Sequence, residues 1–160
     1  MVQMSKSGWI VKLFKLPMLV ALLFMGAMYG VGEYVDLYRY SFGSQALVSA
    51  LIFASGVIMV ALGGRSFRRA KTTVNPLTPH KSTQLVTTSV YRLSRNPMYV
   101  GFVLWLVACA VFVGSWVNLG LIALYIVLTD RLHIVPEERA LGELFGQEYE
   151  TYKQRVRRWL

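Results

Sequence analysis

The sequence predicts an all-α integral membrane protein with four transmembrane helices, the last two forming a tight hairpin, followed by a C-terminal amphipathic helix at the membrane interface. Two observations carry this prediction. The 160 residues are 55% hydrophobic with a mean hydropathy of +0.46, more apolar than an ordinary soluble domain. Residues 16–32, 41–64 and 96–129 contain no charged side chain. A helix of about 20 residues crosses a hydrocarbon core about 30 Å thick, so these stretches are long enough to span a membrane. We expect residues 1–160 to form a single membrane domain.

The uncharged stretches predict the individual spans. The first two give one helix each and place two packing spans in residues 1–64. Both contain small residues that suit close helix contact, namely Gly26, Gly30, Ala50, Ala54 and Gly56. The third stretch would form a helix of roughly 50 Å at 1.5 Å per residue, too long for one crossing. Its middle, "GSWVNLG" (residues 114–120), is typical of a turn, so residues 98–135 are predicted to form a helical hairpin.

The basic residues predict which side of the membrane each segment faces. Of 17 Lys and Arg, Arg39 alone lies between the first two spans, and none lies in the hairpin turn. Short loops rich in Lys and Arg stay in the cytoplasm. Both termini and the segment 65–97 are therefore expected to be cytoplasmic. Contact of these segments with anionic lipid headgroups explains the net charge of +9, so we expect no nucleic-acid partner.

The junction "SRNPMY" ahead of the third span is the first candidate binding feature. Pro97 suits the first position of a helix, and Asn96 before it is expected to cap that helix with its side chain. The backbone N–H groups of Met98 and Tyr99 then face the cytoplasmic interface without helical partners. Such groups are suited to bind an anion.

The tail after the fourth span is the second candidate feature. Pro136 is expected to begin a helix with Glu137 and Glu138 in its first turn, where the helix dipole favours acidic residues. Over residues 136–160 apolar side chains recur at steps of three and four, which predicts an amphipathic helix on the membrane surface. Because the fourth span returns the chain to the side where the third began, the two junctions are expected to face each other across a small pocket.

Four motifs in order carry a family resemblance: the tyrosine of "LVTTSVYRL", then "NPMYVG", the Glu-Glu pair and "FGQEYETY". With the hairpin between them, residues 72–160 resemble the isoprenylcysteine carboxyl methyltransferase family in its bacterial branch, which is related to phospholipid N-methyltransferases. The resemblance implies a S-adenosylmethionine-dependent methyltransferase of a bacterial inner membrane. It places the cofactor at the cytoplasmic face, in a pocket closed by the C-terminal helix. It implies direct methyl transfer to a lipophilic or small-molecule acceptor that offers a carboxylate, an amine or a thiol, and it implies contact with membrane lipids.

The resemblance also implies a set of cofactor contacts. Carried over where residues match, these contacts fall on Leu85, Val86, Tyr91, Pro97, Tyr99 and Glu137. Gln84, Asn96, Met98 and Glu138 lie in the same stretches and complete the predicted cofactor-binding set. We expect a glutamate to accept hydrogen bonds from the ribose hydroxyls or the ammonium group of the cofactor. We expect the tyrosine rings to pack against its adenine or its sulfonium.

The acceptor stays open at this point. Eukaryotic members of the family carry an arginine at the position of His133, where it is thought to meet a substrate carboxylate. His133 and the nearby Arg131 are therefore the substrate-side candidates. His133 could also take a proton from a thiol or amine acceptor. The candidate acceptors are a lipid amine, a small thiol, an isoprenoid acid and a prenylated cysteine.

Two other function classes remain as alternatives. One is an NADPH-dependent membrane reductase of the sterol-reductase type, which shares this C-terminal membrane architecture; the other is a non-catalytic membrane scaffold. The sequence contains no glycine fingerprint of a Rossmann dinucleotide site. The single cysteine, Cys109, lies in the third span and predicts neither a disulfide nor a metal site.

Overall fold

The computed structural model describes residues 16–35, 38–71 and 83–160, and these residues are mostly helical. The helices are α1 (Pro17–Tyr34), α2 (Gln45–Arg69), α3 (Pro97–Val113), α4 (Asn118–Thr129), α5 (Val135–Phe145) and α6 (Gln147–Arg155), with a 3-10 turn at Ser89–Arg92. In these ranges no strand occurs, and Arg39 and Ser115 form an isolated antiparallel bridge. The prediction of an all-α protein is confirmed.

Three helices are long and apolar enough to cross a membrane: Pro17–Tyr34, Gln45–Arg69 and a continuous helix over Asn118–Phe145. This agrees with the prediction of an integral membrane protein. The helix at the place of the predicted third span, α3, is apolar but has 17 residues, or about 26 Å at 1.5 Å per residue. The count of four spans therefore stays a prediction. The basic residues before Leu16 and the loop residues 72–82 lie outside the described residues.

The α3 helix is central because it packs against both α1 and α2. The contact with α2 is close at two glycines, where a Cβ added to Gly56 or to Gly101 would lie 2.7 Å from the carbonyl oxygen of the other. The sequence predicted this use of Gly56. Gly26 and Gly30, predicted for the same role, have open space where a Cβ would be, so they do not mediate packing among the described residues.

The hairpin turn between α3 and α4 lies inside the predicted segment. Gly114 ends α3 in the left-handed conformation, with φ of 70°, and Asn118 begins α4. The last carbonyl groups of a helix have no hydrogen-bond donor within it. At the end of α3, Gln45 provides such a donor, because its Nε2 donates to the carbonyl of Val111 at 2.8 Å. The start of α2 therefore fixes the far end of α3.

The α5 helix begins at Val135, with Pro136 in its first positions and both glutamates in its first turn as predicted, but it continues from α4 and is not a separate helix. A π-helical turn, Asp130–Ile134, joins α4 to α5 without a break, and the N–H of Val135 donates to the carbonyl of Asp130. Proline lacks an N–H and disfavours an ordinary helical turn before it, and the wider turn accommodates this. Glu137 and Glu138 consequently do not lie at a free helix N-terminus, and a helix dipole does not account for them.

The predicted single helix over residues 136–160 is replaced by two short helices and an extended end. Gly146, with φ of 51°, separates α5 from α6. After Arg155 the chain becomes extended at Val156, and we call residues 156–160 the C-terminal strap. The segment predicted as a loop also begins later than expected, because α2 continues to Arg69.

Candidate functional site

A cavity of about 420 Å³ lies where α3 begins, between the ends of the helices and the segment that precedes α3. Five parts of the chain line it. Its lining residues are Leu16, Pro17, Met18 and Leu19 at the start of α1, Val60 and Phe67 on α2, Gln84, Leu85, Val86 and Tyr91 before α3, Arg95, Asn96, Met98, Tyr99 and Phe102 around the start of α3, and Glu137, Glu138, Leu141, Tyr149 and Tyr152 on α5 and α6. Pockets of this size hold cofactors and drug-sized ligands.

The structure brings together the residues that the sequence predicted as cofactor contacts. Gln84, Leu85, Val86, Tyr91, Asn96, Met98, Tyr99, Glu137 and Glu138 all line this cavity. Pro97 is fully buried at the first position of α3 and sets the helix start beneath them. The predicted meeting of the two junctions across a pocket is therefore what the fold produces. Their role in binding a cofactor stays a prediction.

The segment before α3 is held against α2 and α6 by Tyr91. Its ring meets the ring of Phe67 edge to face, with centroids 5.4 Å apart. The hydroxyl of Tyr152 donates to the carbonyl oxygen of Tyr91 at 2.7 Å. Burial raises the pKa of Tyr91 and Tyr152, so both phenols stay neutral at physiological pH. The cavity wall at this point is aromatic and uncharged.

Glu137 and Tyr99 connect α5 to α3 at the cavity. The Tyr99 hydroxyl donates to Oε2 of Glu137 at 3.1 Å, and Tyr99 is 7% exposed. Among the residues that the structure describes, Glu137 forms no ion pair. Its carboxylate thus retains acceptor capacity toward the cavity, because one hydroxyl uses only part of what a carboxylate can accept.

Glu138, the next residue, has very different surroundings. Its carboxylate accepts from Nη2 of Arg95 at 2.8 Å and from Nη2 of Arg158 at 2.6 Å. Arg158 also contacts Asp130 at 3.0 Å through Nη1. Hydrogen bonding to Glu138 raises the pKa of Arg158, so this arginine stays charged. Glu138 lines the cavity, but its charge is already matched by two guanidinium groups.

Asn96 stands at the N-cap position of α3, but its side chain makes no cap, so the predicted capping role is wrong. Its Nδ2 instead donates to the carbonyl of Arg158 in the C-terminal strap, at 3.1 Å. A cap would use Oδ1 of Asn96 as an acceptor, whereas the observed bond uses Nδ2 as a donor and ties the side chain to the strap. The N–H groups of Met98 and Tyr99 consequently receive no side-chain cap, as an anion-binding helix start requires.

The two substrate-side candidates do not line the cavity as the structure describes it. His133 is buried at 9% exposure, and its ring stacks beside that of Tyr99 with centroids 6.2 Å apart. His133 therefore packs against Tyr99, a residue of the cavity wall, without lining the cavity itself. Arg131 is exposed. The assignment of His133 and Arg131 as acceptor contacts stays a prediction. The structure adds that His133 packs against Tyr99.

Sequence reasoning missed the apolar half of the cavity and its charged border. The start of α1, Val60 and Phe102 supply the apolar half, and nothing in a uniformly hydrophobic stretch marks which residues will face a cavity. Arg95 and Arg158 form the charged border. Arg95 is adjacent to Asn96 in the sequence, so its place at the site could have been predicted from that position. Arg158 offers no local signal in a tail rich in arginine.

Comparison with known proteins supplies the family. The model of the family described as "Phospholipid methyltransferase" matches residues 44–148, from the start of α2 into α6. The chain belongs to the phospholipid methyltransferase family. The resemblance predicted from the four motifs is thereby confirmed, and most of the cavity lies inside the matched region.

Named relatives in this family are protein-S-isoprenylcysteine O-methyltransferases. One from Schizosaccharomyces pombe is 34% identical over 48% of this chain and 33% of its own length. A probable one from Oryza sativa subsp. indica is 33% identical over 63% and 56% of the two chains. The form B enzyme of Arabidopsis thaliana is 30% identical over 72% and 56%. The chain thus spans between a third and just over half of the length of these relatives. No solved structure matches the chain.

Proposed function

We propose that the protein is a S-adenosylmethionine-dependent methyltransferase that transfers a methyl group directly to a lipophilic acceptor at the cytoplasmic side of a bacterial inner membrane. One observation carries the proposal. In a chain of the phospholipid methyltransferase family, the residues predicted as cofactor contacts converge on one cavity. We call its part near Asn96, Glu137 and Glu138 the polar half, and its larger part lined by α1 and α2 the apolar half. A site for a charged donor thus adjoins a site for a hydrocarbon acceptor.

The polar half offers the groups that a methionine-derived donor needs. The unpaired carboxylate capacity of Glu137 suits ribose hydroxyls or an ammonium group. The uncapped N–H groups of Met98 and Tyr99 at the start of α3 suit a carboxylate. The rings of Tyr91 and Tyr99 can pack against a base or a cationic sulfur, a contact worth about 0.5–2 kcal/mol. The chemistry of these residues fits the cofactor, because each group suits a different part of it.

The apolar half suits the hydrocarbon part of an acceptor. Residues of α1 and of α2 both line the cavity, and both helices pack on α3, so the cavity reaches between them. Met18 at the start of α1 is 51% exposed, on a helix that is long and apolar enough to lie in the membrane. A lipid-borne acceptor can therefore approach from the bilayer, while the donor occupies the polar half.

When bound, the cofactor would supply a methyl group activated by its sulfonium: the acceptor lone pair would form the new bond to the methyl carbon as the carbon–sulfur bond breaks and the neutral thioether leaves, with no protein nucleophile. The chain must then hold donor and acceptor in line and exclude water, so positioning is its main contribution. Glu137, the start of α3 and the aromatic wall hold the donor side. The acceptor proposed here is an amine, thiol or carboxylate on an apolar molecule, and His133 and Arg131 are the proposed contacts for its polar group.

Isothermal titration of the protein in detergent tests the donor. We expect binding of S-adenosylmethionine and none of NADPH. Incubation with deuteromethyl-labelled donor and total bacterial lipid, followed by mass spectrometry, then identifies the acceptor by the mass it gains. Binding of NADPH alone would favour a reductase. Binding of neither compound by the folded protein would favour a non-catalytic scaffold.

A further inference from the structure

The C-terminal strap is bound along its length to the residues that precede α3. The backbone N–H of Arg95 donates to the carbonyl of Arg157 at 2.9 Å. The carbonyl of Arg158 accepts from the Ser94 hydroxyl and from the Asn96 amide, each at 3.1 Å. Trp159 packs against the main hydrophobic core. The strap is thus a fixed part of the site border, and it places the side chain of Arg158 beside α5.

The Arg158 guanidinium spans the π-helical turn between α4 and α5. Its Nη1 binds Asp130, the first residue of that turn, and its Nη2 binds Glu138, just beyond Pro136. Proline and the wide hydrogen bonding of the turn make this the weakest point of the long helix over Asn118–Phe145. A charged group that holds both sides of the turn fixes the angle at which α5 leaves α4.

That angle decides where Glu137 lies. Glu137 precedes Glu138 on α5 and meets Tyr99 of α3 through one hydrogen bond of 3.1 Å. Glu138 is also bound by Arg95, from the residues just before α3. The carboxylate of Glu138 thereby connects three parts of the chain: α5, the residues just before α3, and the strap. Glu138 is adjacent to Glu137, the residue that offers its carboxylate to the cavity.

We propose that Arg158 is a positioning residue of this site: by clamping Asp130 to Glu138 across the π-helical turn, it holds α5 at the angle that presents Glu137 to the cavity. Arg158 itself does not line the cavity as the structure describes it. Its effect on the ligand therefore passes through α5. The consequence for the donor rests on the proposed function, whereas the consequence for α5 does not.

The test compares Arg158→Gln with Arg157→Gln. The two variants lose the same charge from adjacent residues, but Arg157 is exposed and, among the described residues, its side chain forms no ion pair. Amide hydrogen exchange is measured by mass spectrometry on the unliganded protein in detergent. We expect Arg158→Gln to speed exchange at least severalfold over the π-helical turn and α5, with α2 and α3 unchanged, and Arg157→Gln to match the parent. Unchanged exchange in α5, or an equal rise in all helices, would overturn the clamp.

Donor affinity gives a second measurement that general destabilisation does not alter, since titration well below the melting temperature reports on folded protein. We expect Arg158→Gln to weaken S-adenosylmethionine binding by about tenfold. Arg158→Lys should recover part of the affinity, because a lysine can reach one carboxylate but cannot bind two as a planar guanidinium does. Full affinity in Arg158→Gln would overturn the positioning role. If the parent binds no donor, the proposed function fails, and the exchange result alone decides the clamp.

Discussion

Glu137 and Glu138 are adjacent, yet the fold gives them different electrostatic surroundings. Glu138 lies between Arg95 and Arg158, and its side chain is 10% exposed. Glu137 has the Tyr99 hydroxyl as its hydrogen-bond partner. Two arginines satisfy the carboxylate of Glu138, so Glu137 is the residue whose side-chain oxygens remain available to a ligand. The sequence presents both as one Glu-Glu motif, and only the tertiary arrangement separates their roles.

The first prediction therefore concerns Glu137→Gln. The amide preserves size and can still accept from Tyr99, so we expect the fold to persist. Loss of a charged hydrogen bond to the donor should cost about 1.5–3 kcal/mol, or roughly a tenfold to hundredfold rise in Kd for S-adenosylmethionine measured by titration. Glu143→Gln is the matched control, since Glu143 is an exposed residue on the same helix. Equal affinities in both variants would contradict the assignment.

The second prediction separates two roles of Asn96. Asn and Asp are equally good helix caps, so a capping role predicts that Asn96→Asp keeps the melting temperature of the parent. The structure instead uses Asn96 as a donor to the Arg158 carbonyl. A carboxylate cannot donate and would repel that oxygen, so we expect Asn96→Asp to lose about 1–3 kcal/mol of stability. Asn96→Ala, which only removes the bond, should lose about 1 kcal/mol by thermal unfolding. An Asp variant as stable as the parent would restore the capping role.

At the scale of elements, the hydrophobic stretches predicted the helices well because apolar length is a local property of the sequence. The π-helical turn and the C-terminal strap depend on partners far along the chain and could not be predicted in this way. Pro136 marks a helix start by its local preference, yet packing overrides it and keeps the helix continuous. The strap leaves the helix because Ser94, Arg95 and Asn96 offer hydrogen bonds that a further helical turn would forgo.

The break between α5 and α6 leads to the third prediction. Gly146 has φ of 51° and ψ of −122°, a backbone conformation that residues other than glycine rarely adopt. Gly146→Ala should therefore destabilise the protein by about 1–3 kcal/mol. Gly142→Ala is the control within α5: its Cβ would lie 3.7 Å from the Tyr149 ring, an ordinary contact, and alanine favours a helix. Thermal unfolding should place the two variants on opposite sides of the parent, and a Gly146 variant as stable as the Gly142 variant would exclude strain.

The crossing of α2 and α3 leads to the fourth prediction. A Cβ at Gly56 would lie 2.7 Å from the Gly101 carbonyl oxygen and 2.6 Å from Cδ1 of Trp105, and the backbone atom cannot move without shifting α3. We expect Gly56→Ala to lose about 1–3 kcal/mol. Gly64→Ala, on the same helix but with open space around its Cβ, should be neutral or slightly stabilising. Melting curves that coincide for the two variants would show that the helices do not approach this closely.

At the scale of the whole molecule, the candidate site lies at one end of the helix bundle, and the fifth prediction concerns the side of the membrane that this end faces. The basic residues predict that both termini lie in the cytoplasm, which would require an even number of crossings. A reporter fused after Leu160 should be active only as a cytoplasmic reporter. The control is the same reporter inserted next to Arg39, in the segment between α1 and α2, which should be active only outside the cytoplasm. Periplasmic activity after Leu160 would mean that α3 does not cross.

The continuous helix over Asn118–Phe145 has a consequence for depth in the bilayer. Its 28 residues measure about 42 Å at 1.5 Å per residue, whereas the hydrocarbon core is about 30 Å thick. Counted from Asn118 at the hairpin turn, Glu137 lies about 28 Å along this helix, at the opposite boundary of the hydrocarbon. For the proposed methyl transfer, we therefore expect the reactive end of an acceptor to lie at the level of the glycerol backbone and headgroups. In a thicker bilayer the boundary would lie farther along the helix, beyond Glu137, so we expect membrane thickness to change how easily a lipid-borne acceptor brings its polar end to the site.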